Sequence, residues 1–226
     1  MDLSIIIPTV DSEKYLAQNI TTLDSALKNI PSITTYEIIV AAQTSPDNTF
    51  DVLKRIKNPN VRKVYVETRG KGAGLTAGIR TATGDWCLTL DDDLAYLNHL
   101  PTFLQHRPSY DLIIASRYVP HAELDSPFSR RVASTVYILL TKLLLDIKQR
   151  DIQAGMKLIN HTLFEKIPYP RETGYAWDTE LLYHANKQGA RILEVPVKLA
   201  HAPNQLKLSR AAPRMLRALI RLWRHS

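Results

Sequence analysis

Three consecutive carboxylates, Asp91-Asp92-Asp93, follow the apolar run Trp86-Cys87-Leu88-Thr89-Leu90. Like charges within about 4–6 Å raise one another's pKa, and a divalent cation relieves the repulsion. Mg2+ and Mn2+ prefer hard oxygen ligands and commonly take one or two carboxylates plus phosphate oxygens. If strand alternation continues through the triplet, Asp91 and Asp93 point to one side and Asp92 to the other. Asp91 and Asp93 are then the expected ligands of Mg2+ or Mn2+ on a diphosphate. The competing reading is a solvated helix N-terminus, where acids favour the helix dipole.

Other residues offer less. Gly70-Lys71-Gly72-Ala73-Gly74 departs from the spacing of a dinucleotide fingerprint, and the acids about 20 residues on form a triplet rather than one ribose-binding residue. A nicotinamide enzyme is therefore disfavoured, and the glycines read as a tight strand-to-helix turn. Arg117, Arg130 and Arg131 are candidate anion contacts, because guanidinium pairs bidentately with phosphate. The seven histidines show no metal-ligand spacing. The single cysteine, Cys87, reads as a buried structural thiol.

The elements that must position these groups alternate. Ser4-Ile5-Ile6-Ile7-Pro8 is a buried strand stopped by proline. Over 12–29, Leu16, Ile20, Leu23 and Leu27 recur at helical spacing, with Ser12 as N-cap. A strand at 36–40, a helix carrying Phe50, Leu53 and Ile56, a strand at 61–66, a helix over 70–80 and a strand at 86–90 follow. Beyond them, 111–116 reads as a strand, 131–147 and 179–188 as helices, and 191–199 as a final strand. Such alternation predicts an α/β fold, a mostly parallel sheet with helices on both faces, and ligands bound beyond the carboxyl ends of its strands.

At 226 residues with 45% apolar content, one large domain is expected, spanning 1–205, with a basic segment at 206–226. Six basic residues from Lys207 onward, with no acid among them, leave +1 of the net +7 for the rest, which argues against a nucleic-acid surface. No secretory leader or spanning segment is expected. From Pro213, read as a first-turn proline, Arg214, Arg217, Arg221 and Arg224 fall on one helical face. Met215, Leu216, Leu219, Ile220, Leu222 and Trp223 fall on the other. That pattern suits a helix lying in a membrane interface, or one docked on the core with its arginines outward. The stretch 132–145 is apolar on nearly all sides, and is either core or lipid-facing.

The segments Arg69-Gly70-Lys71-Gly72-Ala73-Gly74, Ala82-Thr83-Gly84-Asp85 and Leu90-Asp91-Asp92-Asp93-Leu94 resemble the family 2 glycosyltransferases of the GT-A fold. More closely, the chain is similar to the polyprenyl-phosphate (dolichol-phosphate) mannose and glucose synthases. The likeness continues through Ile6-Ile7-Pro8-Thr9, Glu37-Ile38-Ile39-Val40, Ser45-Pro46-Asp47, Ala115-Ser116-Arg117-Tyr118-Val119, Ser129-Arg130-Arg131, Gly174-Tyr175, Glu180-Leu181-Leu182, Glu194-Val195-Pro196-Val197 and Lys207-Leu208-Ser209. The resemblance implies a Rossmann-like GT-A fold. It also implies inverting transfer of a hexose from a GDP- or UDP-linked nucleotide-sugar donor to a polyprenyl phosphate, by direct attack at the anomeric carbon.

In that family the DxD acids, here Asp91 and Asp93, hold the metal on the donor diphosphate, where it acts as a Lewis acid. The resemblance further implies donor contacts at Pro8, Thr9, Lys71, Gly72, Asp92 and Lys207, and acceptor-phosphate contacts at Arg117 and Arg131. Asp151, Gly155 and Glu180 also match family positions. A lipid-linked acceptor would place the protein peripherally at the cytoplasmic face of a membrane, held through the C-terminal helix.

The chain departs from the family in places. Ala41-Ala42-Gln43 replaces base-recognising aspartates, Val10-Asp11-Ser12 replaces a Tyr-Asn-Glu-like stretch, Ala95 stands where a metal-completing glutamine is common, and Ala200-His201-Ala202-Pro203 lacks an arginine. Two alternatives follow. One is a transferase acting on a glycan or protein hydroxyl, which needs a general base such as Asp178 or Glu180. The other is a non-catalytic relative that binds a nucleotide sugar.

Overall fold

The computed structural model describes residues 1–124, 128–199 and 208–224. Its first half follows the alternation closely: β1 (Leu3–Thr9), α1 (Leu16–Lys28), β2 (Tyr36–Gln43), α2 (Thr49–Arg55), β3 (Val61–Val66), α3 (Lys71–Thr81) and β4 (Trp86–Leu90). The second half adds α4 (Leu100–Gln105), β5 (Leu112–Ser116), β6 (Glu123–Leu124), α5 (Phe128–Leu145), β7 (Met156–Asn160), α6 (Leu163–Lys166), α7 (Trp177–Lys187), β8 (Ile192–Pro196), β9 (Lys198–Leu199) and α8 (Leu208–Arg224).

Seven strands form one sheet in the order β3-β2-β1-β4-β7-β5-β8, and β6 pairs with β9 separately. The sheet is mostly parallel, as expected; β7 alone runs antiparallel, against both β4 and β5. From β1 the chain moves outward to β2 and β3, then returns to lay β4 on the other side of β1. Strand order therefore reverses at β1, which opens a crevice beyond the carboxyl ends of β1 and β4.

Strand β1 is buried along its whole length, so its alternate side chains serve two layers. Ile6 and Pro8 face α3, where glycines allow close approach. A Cβ on Gly78 would fall 2.4 Å from Ile6 Cγ2, and one on Gly74 2.9 Å from Pro8 Cβ. Thr9 faces the opposite side, toward the chain that leads into α1.

Several expectations change. Ser12 does not cap a helix, because its hydroxyl is committed to Asp92; α1 starts at Leu16 instead. The stretch 191–199 is two strands, because β8 pairs with β5 as far as Pro196 and β9 then leaves that sheet to pair with β6. Helix α5 begins at Phe128, earlier than the expected 131. Pro213 lies inside α8 rather than in its first turn. Strand β7 was not legible as a strand, because Lys157 interrupts its apolar run; this lysine is fully buried. Among the described residues no helix is long and apolar enough to cross a membrane.

Candidate active site

The three aspartates sit at the crevice between β1 and β4, but not as an extended strand end. Strand β4 stops at Leu90, and residues 91–94 form a turn closed by the Leu94 N–H donating to the Asp91 carbonyl at 3.1 Å. Leu94 takes a φ of 56°, in the left-handed region. The triplet is therefore not an extended strand end, and its three carboxylates take different partners. Asp91 Oδ1 lies 2.7 Å from Lys71 Nζ. Asp92 Oδ2 accepts from Thr9 Oγ1 at 2.9 Å and Ser12 Oγ at 2.5 Å, and its carbonyl accepts from Asn19 Nδ2 at 2.7 Å. Asp93 Oδ1 accepts from the Ala95 N–H at 3.1 Å.

Charge crowding at this turn is real. Burial pushes the Asp93 carboxyl above its ordinary range, and the charges of Asp91 and Asp92 add to the rise, while the Ala95 amide and Lys71 oppose it. Asp92 is raised by burial too, and by Asp91, against the Ser12 and Thr9 hydroxyls. Two hard carboxylates within one turn, short of positive charge, fit a divalent cation in donor type. Among the described residues no group of three or more His, Cys, Asp or Glu side chains converges, so the protein would supply only part of such a shell.

Lys71 opens α3, and burial alone would lower its pKa. The carboxylates of Asp91 and Asp178 outweigh that and hold the ammonium above its usual range. Behind it, Lys157 Nζ donates to Asp178 Oδ1 at 2.5 Å and to the Ala154 carbonyl at 2.8 Å, with both side chains out of solvent. Burial draws Lys157 below its usual range; Asp178 resists that shift and Lys71 adds to it. Asp91, Lys71, Asp178 and Lys157 thus make a line of alternating charge running from the crevice into the core.

Close backbone approaches hold this line in place. A Cβ on Gly155 would fall 2.4 Å from Asp91 Oδ2 and 2.6 Å from Tyr96 Cε2, so only glycine lets the β7 lead-in meet the aspartate. A Cβ on Gly72 would fall 2.3 Å from the Glu172 carbonyl oxygen and 2.7 Å from Trp177 Cβ. Gly70 adopts a φ of 136°, and its N–H donates to Gln43 Oε1 at 2.6 Å. Gln43, which stands where the resemblance implies an acid, therefore tethers the glycine turn to the end of β2.

The expected arginines fare differently. Arg117 is not a free anion contact: Nε and Nη2 pair with the two Asp151 oxygens at 2.8 Å each, and Nη2 also donates to the Gln153 carbonyl at 3.0 Å. That pairing gives Asp151 a definite role, holding one edge of a nearly buried guanidinium. Arg131 is exposed on α5, and among the described residues no hydrogen bond or ion pair joins it to the aspartates. Lys207 and the stretch 200–203 lie outside the described residues.

Neither candidate general base is at liberty. Asp178 is locked to Lys157, and Glu180 Oε2 accepts the N–H groups of Arg171 and Glu172 at 2.8 Å each. Ser12, Asn19 and Lys157 were not singled out for the site by sequence. Of these, only Lys157 left a signal: a lysine within an apolar run is rarely buried unless paired.

Residues 4–168 match the glycosyl transferase family 2 profile. The chain belongs to that family. Among curated relatives, it is 28% identical over 204 residues to glycosyltransferase AglD of Haloferax volcanii, covering 87% of this chain and 33% of that one. It is 30% identical over 158 residues to dolichol-phosphate mannosyltransferase of Pyrococcus furiosus, covering 68% and 44%. With polyprenol monophosphomannose synthase of Mycolicibacterium smegmatis, identity is 28% over 206 residues, covering 85% and 75%. The chain thus spans less than half the length of the first two. Mannosyl-3-phosphoglycerate synthase from Rubrobacter xylanophilus superposes with a TM-score of 0.71 at 20% identity, over 100% of this chain and 74% of that one, which shows the shared GT-A fold. Glucosyl-3-phosphoglycerate synthase from Mycobacterium tuberculosis, solved with Mn2+, UDP and phosphoglyceric acid, gives 0.68 at 17%, over 98% and 78%.

Proposed function

We propose that this family 2 glycosyltransferase moves a hexose from a nucleoside-diphosphate sugar to a polyprenyl phosphate at the cytoplasmic face of a membrane, with α8 contributing to membrane contact. The commitment of Asp178 and Glu180 to other partners carries the choice of acceptor. A sugar or protein hydroxyl must lose a proton to a base as it attacks, whereas a phosphate oxygen is already anionic. An acceptor phosphate oxygen forms the new bond to the anomeric carbon from the face opposite the leaving group. The bond to the donor diphosphate breaks, and the nucleoside diphosphate leaves with the electron pair, inverting the centre. The names of the relatives from Pyrococcus furiosus and Mycolicibacterium smegmatis support the same acceptor class.

Asp91 and Asp93 would hold Mg2+ or Mn2+ on the donor diphosphate, where the cation offsets charge on the leaving group. The Mn2+ and UDP bound by the mycobacterial neighbour support that reading. Lys71, held charged beside Asp91, adds positive charge on the same side. Thr9 and Ser12 keep Asp92 oriented toward β1, and Pro8 and Gly72 shape the adjoining wall. Arg117, fixed by Asp151, and Arg131 are the proposed acceptor-phosphate contacts, and Lys207 a donor contact.

The test is transfer of labelled sugar from a panel of GDP- and UDP-sugars, with Mn2+, to polyprenyl phosphate. The expected product is label extracted into organic solvent, reduced at least about 100-fold by Asp91→Asn. Label found only in soluble or polymeric glycan would contradict the acceptor.

A further inference from the structure

Glu194 stands on β8, an edge strand of the sheet, where a carboxylate has solvent within reach. It is turned inward instead and accepts three hydrogen bonds. Oε1 accepts from Ser116 Oγ and from the Asp151 N–H, both at 2.8 Å, and Oε2 accepts from the Arg150 N–H at 2.9 Å. The donors belong to the end of β5 and to the loop that joins α5 to β7. One carboxylate thus fastens that loop to the sheet through two successive backbone amides, in charge-assisted bonds.

Asp151 carries the constraint onward. Its Oδ2 accepts from the backbone N–H of Arg117 at 2.9 Å and from Nε at 2.8 Å, while Oδ1 accepts from Nη2 at 2.8 Å. Nη2 also donates to the Gln153 carbonyl. One edge of the guanidinium is therefore consumed, and among the described residues Nη1 has no hydrogen-bond partner. The far end of the same loop reaches the reaction centre, where Gly155 packs against Asp91. That end is held separately, by Lys157 Nζ donating to the Ala154 carbonyl at 2.8 Å.

We propose that Glu194 is a positioning residue, which through Asp151 aims the unpaired Nη1 of Arg117 at the acceptor phosphate. This rests on the acceptor contact proposed above for Arg117. A long, rotamer-rich side chain costs entropy to hold in one place, and a misplacement of about 1 Å in a positioning group costs about 100-fold in rate. Asp151 cannot fix Arg117 unaided, because it lies on a loop; Glu194 anchors that loop to the sheet. The competing role is a mere staple of β8 to β5. The ladder already supplies that, since the two strands pair from Leu112 with Ile192 to Ser116 with Pro196.

Binding of detergent-dispersed polyprenyl phosphate, and separately of UDP and GDP with Mn2+, tests the relay in wild type, Glu194→Gln, Arg117→Met and the double variant. Glutamine keeps the shape but sets an NH2 donor where a carboxylate oxygen accepts from a backbone N–H. Glu194→Gln and Arg117→Met should each weaken polyprenyl-phosphate binding at least about tenfold. The double variant should fall within about twofold of Arg117→Met, because both changes act on one contact. Nucleotide binding by Glu194→Gln should stay within about twofold of wild type. Circular dichroism checks folding, and Ser116→Ala, which removes one donor and keeps the carboxylate, should weaken acceptor binding by a smaller factor. If Glu194→Gln did not fold, Ser116→Ala would decide in its place. Wild-type acceptor affinity in Glu194→Gln, or in its substitute, beside a loss in Arg117→Met would overturn the relay and leave the contact standing. No acceptor binding by wild type, or full affinity in Arg117→Met, would overturn the contact and the relay with it. A Glu194→Gln loss that repeats in full on top of Arg117→Met, or that falls equally on nucleotide binding, would show a staple and no positioning.

Discussion

At the residue scale the site is a problem in charge balance. Three acids crowd one turn, one cation answers Asp91, and a second buried ion pair lies behind it. A buried pair contributes little over an apolar pair of the same volume, but breaking it leaves an unpaired buried charge. Lys157→Met should therefore destabilise the protein by roughly 3–5 kcal/mol, read as a lowered urea midpoint at an unchanged slope. The double variant Lys157→Met with Asp178→Leu should recover most of that loss. If the double variant were no more stable than the single, the pair would not be the source of the cost. The residue types of the triplet were legible in sequence; their directions were not. Alternation across Asp91-Asp92-Asp93 assumes an extended chain, and the turn at Leu94 removes that premise. Gln43 is a similar case: its departure from the family pattern was visible, but its bond to Gly70 depends on the end of β2 meeting the glycine turn 27 residues on.

At the element scale, α1 is fastened to the sheet by a polar cluster away from the site. Asp24 Oδ1 accepts from Tyr36 Oη at 2.7 Å and Asn60 Nδ2 at 3.2 Å, while Oδ2 accepts from Lys28 Nζ at 2.6 Å. Burial works to raise the Asp24 carboxyl, but Lys28, Tyr36 and Asn60 together bring it down to about 2. An acid whose pKa is lower folded than unfolded stabilises the fold above its unfolded value and loses that contribution as pH falls through the folded one. Stability should thus decline between about pH 4 and about pH 2, and Asp24→Asn should flatten that decline in acid-denaturation curves. An unchanged slope would show that the cluster is not the fastening. The same scale explains which elements could be read in advance. β1, β2 and β4 are apolar runs with turn residues at their ends, so period and punctuation agree. β7 hides a buried lysine, and the change of partner from β5 to β6 after Pro196 divides what looks like one strand.

At the scale of the whole molecule, the reversal of strand order at β1 gathers the functional residues. It sets Thr9 and Ser12 from β1 and its following loop beside Asp92, and brings Lys71 at the start of α3 to Asp91. The antiparallel β7 and the residue before it then bring Gly155 to Asp91 and Lys157 to Asp178 from the other half of the sheet. The parallel half was legible because its contacts follow chain order. The β7 insertion was not, because it joins segments about 70 residues apart, which local pattern cannot register. The amphipathic tail was visible as arginine and apolar faces, and the structure divides its apolar residues between a docked face and an exposed one. Titration calorimetry of GDP and UDP, with and without Mn2+, tests the assignment of the reaction centre most directly. One nucleotide should bind in a Mn2+-dependent way to wild type, and that dependence should vanish in the Asp91→Asn, Asp93→Asn double variant while the fold persists. Binding of neither nucleotide, or Mn2+-dependent binding that survives in the double variant, would contradict the placing of the reaction centre at these aspartates.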